Sequence, residues 1–406
     1  MNHIPELLAP AGNFEKLKVA LHYGADAVYM GGTNFSLRNF SGNFSLPEMQ
    51  EAISYTHQLH RKAYITINIY MRDTEVDDLR AYIKKVSLFS PDAFIIADPG
   101  VFRIAQQVAP HIPIHISTQA NITSNQSARF WADLGAVRVN TARELSLDEI
   151  RTIVQSNALE VESFVHGSMC VSYSGRCLLS SFMANRDSNR GECAHPCRWQ
   201  YRVMEEKRPG EYYPFMEDER GTYLFNSHDL SMIEYLPQMI TTGLHSLKIE
   251  GRMKSVHYIG TVVRAYRLAL DAYAKNPDLY QFNPDWQKEV HLVSRHGLDT
   301  GFYLGLSADS AILREGSSRP VQQCFVGRVE EVSAPNTVSI VVKNNISVGD
   351  PIFRLTPKNE IETDTVQYMY DKSGAPLDIA HPNETVTLQF AQITPAVNDL
   401  LRKDMP

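Results

Sequence analysis

The chain has 406 residues, 43% of them apolar and 21% charged, with a formal net charge of −7. That apolar content supports a true core, and the length accommodates one large domain and a smaller one. The acidic balance excludes a globally basic nucleic-acid binder, although not a local basic patch.

At the N-terminus no positively charged segment leads into an apolar run, and no later stretch approaches about 18 uninterrupted apolar residues. A cytoplasmic protein without membrane contact is expected. Over the first 250 residues, short runs rich in β-branched residues alternate with amphipathic stretches. The runs occupy 5–12, 26–32, 62–70, 92–100, 112–121, 136–144, 159–167 and 245–252. Between them, segments such as 46–60 carry apolar residues at helical spacing. Strand–helix alternation predicts a parallel sheet, and eight such units predict a TIM-like (β/α)8 barrel. A doubly wound open sheet is the alternative, weakened because no G-x-G-x-x-G follows the first strand.

A barrel of this type carries its active site at the C-terminal strand ends. The polar residues there are Asn68, Asp98, Ser117, Gln119, Asn121, Asn140, Arg143, Glu144, Glu162, His166, Lys248, Glu250 and Arg252. Strand ends are polar in any case, so only some of these are expected to meet a ligand.

After the seventh run comes a loop with Cys170, Cys177, Cys193 and Cys197, spaced C-x6-C-x15-C-x3-C; the remaining cysteine, Cys324, stands alone. Two disulfides would require an oxidising compartment. Four thiols in one loop of a cytoplasmic protein point instead to a bound metal or cluster. The spacing matches neither a common zinc ribbon nor a ferredoxin run, so zinc and iron–sulfur both remain open. The same loop carries Arg176, Arg186, Arg190, Arg198, Arg202, Lys207 and Arg208, either a solvated surface or a rim for phosphates.

Residues 203–223 read as a polar excursion and 224–230 as another short strand; helical runs follow at 255–275 and 283–296. From about Ser318 the pattern changes to period-two alternation broken by turns such as APN, VGD and HPN. This predicts a small all-β domain, a barrel, with Cys324 packed in its first strand. The expected organisation is a barrel over 1–317 with the cysteine loop inserted at about 168–223, then a β-barrel domain over 318–406.

The sequence Glu162-x-Phe164-x2-Gly167-Ser168-Met169-Cys170-x4-Gly175-x-Cys177-x-Leu179-Ser180 resembles the signature of peptidase family U-32, the collagenase-like proteins. ELLAPAG, STQAN, RELSLDEI, HSLKIEGRMKS and the FVG…VKNNISVGD region are similar to that family too, so the resemblance covers nearly the whole chain. Within the family, VHGSMCVSYSGRCLLS, CRW and NSHDL resemble the branch that modifies tRNA. That resemblance implies a 4Fe–4S cluster held by Cys170, Cys177, Cys193 and Cys197, with zinc as the alternative occupant. It implies hydroxylation of carbon 5 of the wobble uridine of tRNA, with prephenate as co-substrate and without molecular oxygen. The expected partners are the tRNA anticodon loop, prephenate and the iron–sulfur assembly machinery.

Physical chemistry weighs against the peptidase name. There is no H-E-x-x-H and no G-x-S-x-G. A Cys–His pair using His166 or His195 is conceivable, but four thiols in one loop suit ligation better than a single nucleophile. On the hydroxylase reading, Tyr173, Trp199, Tyr212 or Tyr213 could stack on a base of a single-stranded loop. Arg143, Lys248 and Arg252 are candidates for the carboxylates of prephenate. Asn68, Gln119 and Arg198 complete the expected substrate contacts. Glu162 and His166 are candidates for proton transfer. The alternatives are a peptidase and a non-catalytic RNA-binding or cofactor-carrying partner.

Overall fold

The structure is a computed structural model. It describes residues 3–36, 43–170, 172–190, 192–194, 196, 217–218, 221–222, 229–294, 297–305, 323–358 and 360–405. Cys197, Arg198, His195, Trp199, Tyr212, Tyr213, Arg202, Lys207, Arg208 and most of the strand expected at 224–230 lie outside the described residues.

Eight strands close the first barrel: β1 (Glu6–Pro10), β2 (Ala27–Gly31), β3 (Lys62–Ile67), β4 (Ala93–Ile96), β5 (Ile114–Ile116), β6 (Arg138–Asn140), β7 (Glu160–Ser168) and β8 (Ser246–Ile249). Each is parallel to its neighbours, and β8 pairs with both β7 and β1. That double pairing excludes the open doubly wound sheet.

Local chemistry starts the helices between the strands. Ser45 caps the Leu46–Gln58 helix in a capping box with Glu48, and Ser146 does the same with Glu149 for Leu147–Gln155. Asp98 accepts from the Gly100 and Val101 amides, so this strand-end carboxylate is a cap for the Pro99–Val108 helix.

The lumen has two unlike halves. On the β1–β4 side, Leu8, Ala27, Tyr29, Tyr64, Ala93 and Ile95 form an internal apolar cluster. On the β5–β8 side the buried residues include His115, Arg138, Asn140, Glu162 and Lys248. Most of the buried charge therefore lies on the β5–β8 side.

β7 is irregular near its end. Phe164 pairs with Lys248 and His166 with Ile249, so β7 carries an extra residue, a β-bulge. Beyond the bulge, the short strand Asp229–Ser231 runs antiparallel to Ser168–His166. This strand continues the sheet outside the closed barrel.

The second domain is a closed six-stranded antiparallel barrel of β9 (Gln323–Ala334), β10 (Thr337–Val341), β11 (Pro351–Leu355), β12 (Glu362–Tyr370), β13 (Thr385–Phe390) and β14 (Leu400–Asp404), in the order β9-β10-β13-β12-β11-β14. Its core includes Val326, Ile340, Val386, Leu388 and Leu401. Cys324 lies half-buried in β9, where burial pushes its thiol up. The two barrels pack against each other: Leu355 and Leu400 belong to the core of the first. Tyr23 Oη donates to the Leu355 carbonyl at 2.7 Å and accepts from the Leu400 amide at 2.9 Å.

Among the described residues, no helix is long and apolar enough to cross a membrane.

Candidate active site

A cavity of about 720 Å³ opens at the C-terminal ends of the barrel strands. Its walls come from two sources. The strand ends contribute Asn68, Gln119, Asn140, Arg143, Lys248 and Arg252, among others, and the cysteine loop contributes Cys170, Cys177 and Cys193. The loop thus lies over the barrel mouth.

Several bonds hold the loop there. Tyr70 Oη donates to the Gly175 carbonyl at 3.0 Å. Arg190 donates to the Tyr70 carbonyl at 2.5 Å and pairs with Glu75. Within the loop, Ser188 Oγ and Asn189 Nδ2 both donate to the Cys177 carbonyl, at 2.8 and 3.0 Å. Cys170 is exposed, Cys177 and Cys193 are half-buried, and none of the three is in a disulfide. Three thiols on one cavity wall are the donor type that zinc and iron–sulfur clusters require. Among the described residues, however, no three Cys, His, Asp or Glu side chains converge closely enough to hold one metal ion.

Glu162 lies beneath the cavity on the charged wall. Its Oε1 accepts from Lys248 Nζ at 2.9 Å and from Asn140 Nδ2 at 2.8 Å, and Arg138 Nη1 lies 3.4 Å from Oε2. Burial alone would push this carboxyl up, but Lys248 and Arg138 hold it down, to about 2. Arg138 also pairs with Glu6 at 2.7 Å, and Glu6 accepts from Tyr64 Oη at 2.8 Å. This ionic layer, spanning β1, β3, β6, β7 and β8, escapes sequence reasoning because its members are far apart in the chain. A carboxylate held this firmly in its charged form anchors neighbours and does not carry protons near neutrality.

His166 does not line the cavity. The bulge in β7 turns its ring onto the long Val256–Lys275 helix, where it packs edge-on to Tyr266 at 5.6 Å and tilted to Tyr258 at 5.9 Å. Burial holds this imidazole down, to about 3, so it is neutral at physiological pH. Among the described residues, no histidine lines the cavity beside a thiol.

The three expected cationic contacts all reach the cavity, each differently engaged. Lys248 is paired with Glu162 and sits 4.6 Å over the Tyr29 ring. Arg252 donates to Ser36 Oγ at 2.9 Å, Thr66 Oγ1 at 3.0 Å and Asn43 Oδ1 at 2.5 Å. Arg143 stacks 4.0 Å over Phe164 and donates to the Ser168 carbonyl at 2.8 Å, while its Nε has no partner among the described residues. Asn68 Nδ2 donates to Gln119 Oε1 at 2.7 Å, joining two of the expected polar contacts. Lys16 and Lys254 also line the cavity, although their positions gave no sequence signal.

The sequence matches the description "Peptidase family U32" over residues 12–312 and the C-terminal domain of that family over 322–402. The chain belongs to peptidase family U32. Among its U32 relatives, the tRNA hydroxylation protein P1 of Bacillus subtilis is 37% identical over 388 residues, covering 95% of this chain and 92% of the relative. The 23S rRNA 5-hydroxycytidine C2501 synthase of Escherichia coli is 34% identical over 271 residues, 67% of this chain and 40% of that protein. A relative named "Collagenase" in Porphyromonas gingivalis is 30% identical over 336 residues, covering 80% of this chain and 79% of the relative.

Proposed function

We propose that this U32 protein is an RNA hydroxylase that converts the wobble uridine of tRNA to 5-hydroxyuridine. The observation that carries the reading is the cavity itself, walled on one side by cysteine thiols and on the other by strand-end amides and cations. Two relatives named for RNA hydroxylation, one acting on tRNA and one on rRNA, support the same reaction class.

In this reading Cys170, Cys177, Cys193 and Cys197 hold a 4Fe–4S cluster delivered by the iron–sulfur assembly machinery, and zinc is the competing occupant. A cluster of this type supplies one-electron chemistry. Prephenate is the co-substrate, and Arg143 is the cation best disposed to one of its carboxylates. Its planar fork lines the cavity and is already braced on Phe164. Arg252 lines the same cavity, whereas the charge of Lys248 is already met by Glu162. The anticodon loop is single-stranded, so turning its base into the cavity costs little unpairing energy. Tyr173, exposed on the loop and lining the cavity, offers a face for stacking.

The test uses protein purified without oxygen, incubated with undermodified tRNA and prephenate, and nucleoside mass spectrometry. We expect 5-hydroxyuridine to form with wild-type protein and not with Cys193→Ser. Hydroxylation that persists unchanged in Cys193→Ser would remove the thiols from the reaction. Cleavage of a gelatin or casein substrate without any modified nucleoside would favour the peptidase reading. A colourless protein with stoichiometric zinc would replace the cluster.

A further inference from the structure

Two side chains on the cavity wall are buried with a polar atom left over. Gln119 is 5% exposed and Asn140 2% exposed. Both line the cavity, yet Gln119 Nε2 and Asn140 Oδ1 have no hydrogen-bond partner among the described residues. Such groups are costly to leave unmet and point to a ligand or water that meets them. The two residues come from adjacent strand ends of the cavity wall: Asn140 ends β6, and Gln119 follows the end of β5, its neighbour in the sheet.

Their partners bear on what each presents, and the partner of Asn140 fixes it. Gln119 Oε1 already accepts from Asn68 Nδ2, which leaves its NH₂ as a donor. Asn140 Nδ2 donates to Glu162 Oε1. A carboxylate accepts only, so the amide of Asn140 cannot turn round, and its oxygen is the atom left to the cavity. Lys248 and Arg138 keep that carboxylate charged and in place. The wall therefore offers one donor and one locked acceptor.

We propose that Gln119 and Asn140 are a base-reading pair that selects uracil over cytosine. This rests on the RNA-hydroxylase reading above and specifies which base that site accepts. Uracil presents a carbonyl oxygen beside an N3–H, an acceptor next to a donor, which complements the pair. Cytosine presents an unprotonated N3, whose lone pair would face the Asn140 oxygen. Reading the O2/N3 side also leaves carbon 5, across the ring from C2, open for reaction. Glu162 is then a positioning residue: it acts through Asn140 and touches no substrate.

The experiment measures binding of the full-length protein to one anticodon stem-loop RNA with uridine, cytidine or N3-methyluridine at the wobble position. Fluorescence anisotropy gives the affinities, and nucleoside mass spectrometry follows the reaction in parallel. We expect the uridine RNA to bind at least about tenfold tighter than the other two, the scale of one mispaired base contact. Asn140→Ala and Gln119→Ala should close most of that gap mainly by weakening uridine, and circular dichroism would verify folding. Glu162→Gln should narrow the gap differently, by strengthening cytidine, because a neutral amide lets Asn140 turn. A merely structural role would not produce that gain. Equal binding of uridine and cytidine RNA by wild-type protein, or an unchanged preference in Asn140→Ala, would overturn the proposal. Hydroxylation of uridine and cytidine RNA at equal rates would overturn it while leaving the hydroxylase reading intact. Absence of any hydroxylation would sink that reading, and the binding preference would still decide this one.

Discussion

The pH behaviour of single buried residues separates their roles. Glu162 is held down to about 2 in the folded protein, against an ordinary value of 4.5. A carboxyl lowered by folding stabilises the fold above its unfolded value, and that contribution disappears as pH falls from about 5 through 2. His166 and His257, each held down by burial to about 3, act in a higher window. Unfolded histidine takes up protons from about pH 6.5 downward, so their contribution begins to fall there. Urea unfolding at stepped pH distinguishes the windows. We expect Glu162→Gln to lose about 3–5 kcal/mol at pH 7, because Lys248 would keep a buried charge without its partner. The variant should also show a shallower decline below pH 5, where the other lowered carboxyls such as Glu75 and Asp364 still act, while retaining the decline that starts near pH 6.5. Parallel curves for wild type and variant would show that Glu162 is not held as the geometry indicates.

At the scale of elements, the cysteine loop depends on a turn at Gly175. Its φ is +76°, and a Cβ there would lie 2.7 Å from Tyr70 Oη and 3.2 Å from the Gln119 Cβ. Gly175→Ala should therefore shift the turn that leads into Cys177 and, on the proposed 4Fe–4S reading, lower the iron bound per chain by more than half. The barrel melting temperature should barely move, since the loop lies outside the core. Iron analysis of anaerobically purified protein checks this, and full iron content would mean that Cys177 reaches its place without the turn. The barrel strands were legible because buried parallel strands read as β-branched runs and their helices carry cap residues. The cysteine loop was legible from spacing and its position after the seventh run. The last strand, Leu400–Asp404, was not. Its neighbours Leu400 and Leu401 are both fully buried, one in each barrel's core, so the strand shows no alternation. The orientation of His166 was equally hidden, because an inserted residue in β7 changes which side the ring faces. Asn140 was visible as a polar strand end, but its leftover oxygen follows only from the spatial partners of its amide.

The whole molecule is two barrels joined by a shared seam. Asp399, fully buried, accepts from His22 of the first barrel at 2.8 Å and from Arg354 of the second at 2.6 Å. Arg402 pairs with Glu289 at 2.6 Å, and Arg264 Nε donates to the Thr356 carbonyl at 2.6 Å. Between these polar contacts, Leu400 enters a notch in the Val256–Lys275 helix at Gly260. A Cβ on Gly260 would lie 2.4 Å from Leu400 Cδ1, 3.1 Å from Val19 Cγ1 and 3.2 Å from Tyr23 Cδ2. Two effects of Gly260→Ala therefore oppose each other. Helix propensity alone favours alanine by about 1 kcal/mol. Overpacking at a closed seam costs about 1–3 kcal/mol. Leu400 could give way alone, but Val19 and Tyr23 close the other sides, and Tyr23 is tied by its hydroxyl to both Leu355 and Leu400. Overpacking should win. We expect Gly260→Ala to be less stable than wild type, and its calorimetric transition to broaden as the second barrel loosens before the first unfolds. A rise in stability with a single sharp transition would mean that the helix dominates and that Leu400 is not what couples the barrels.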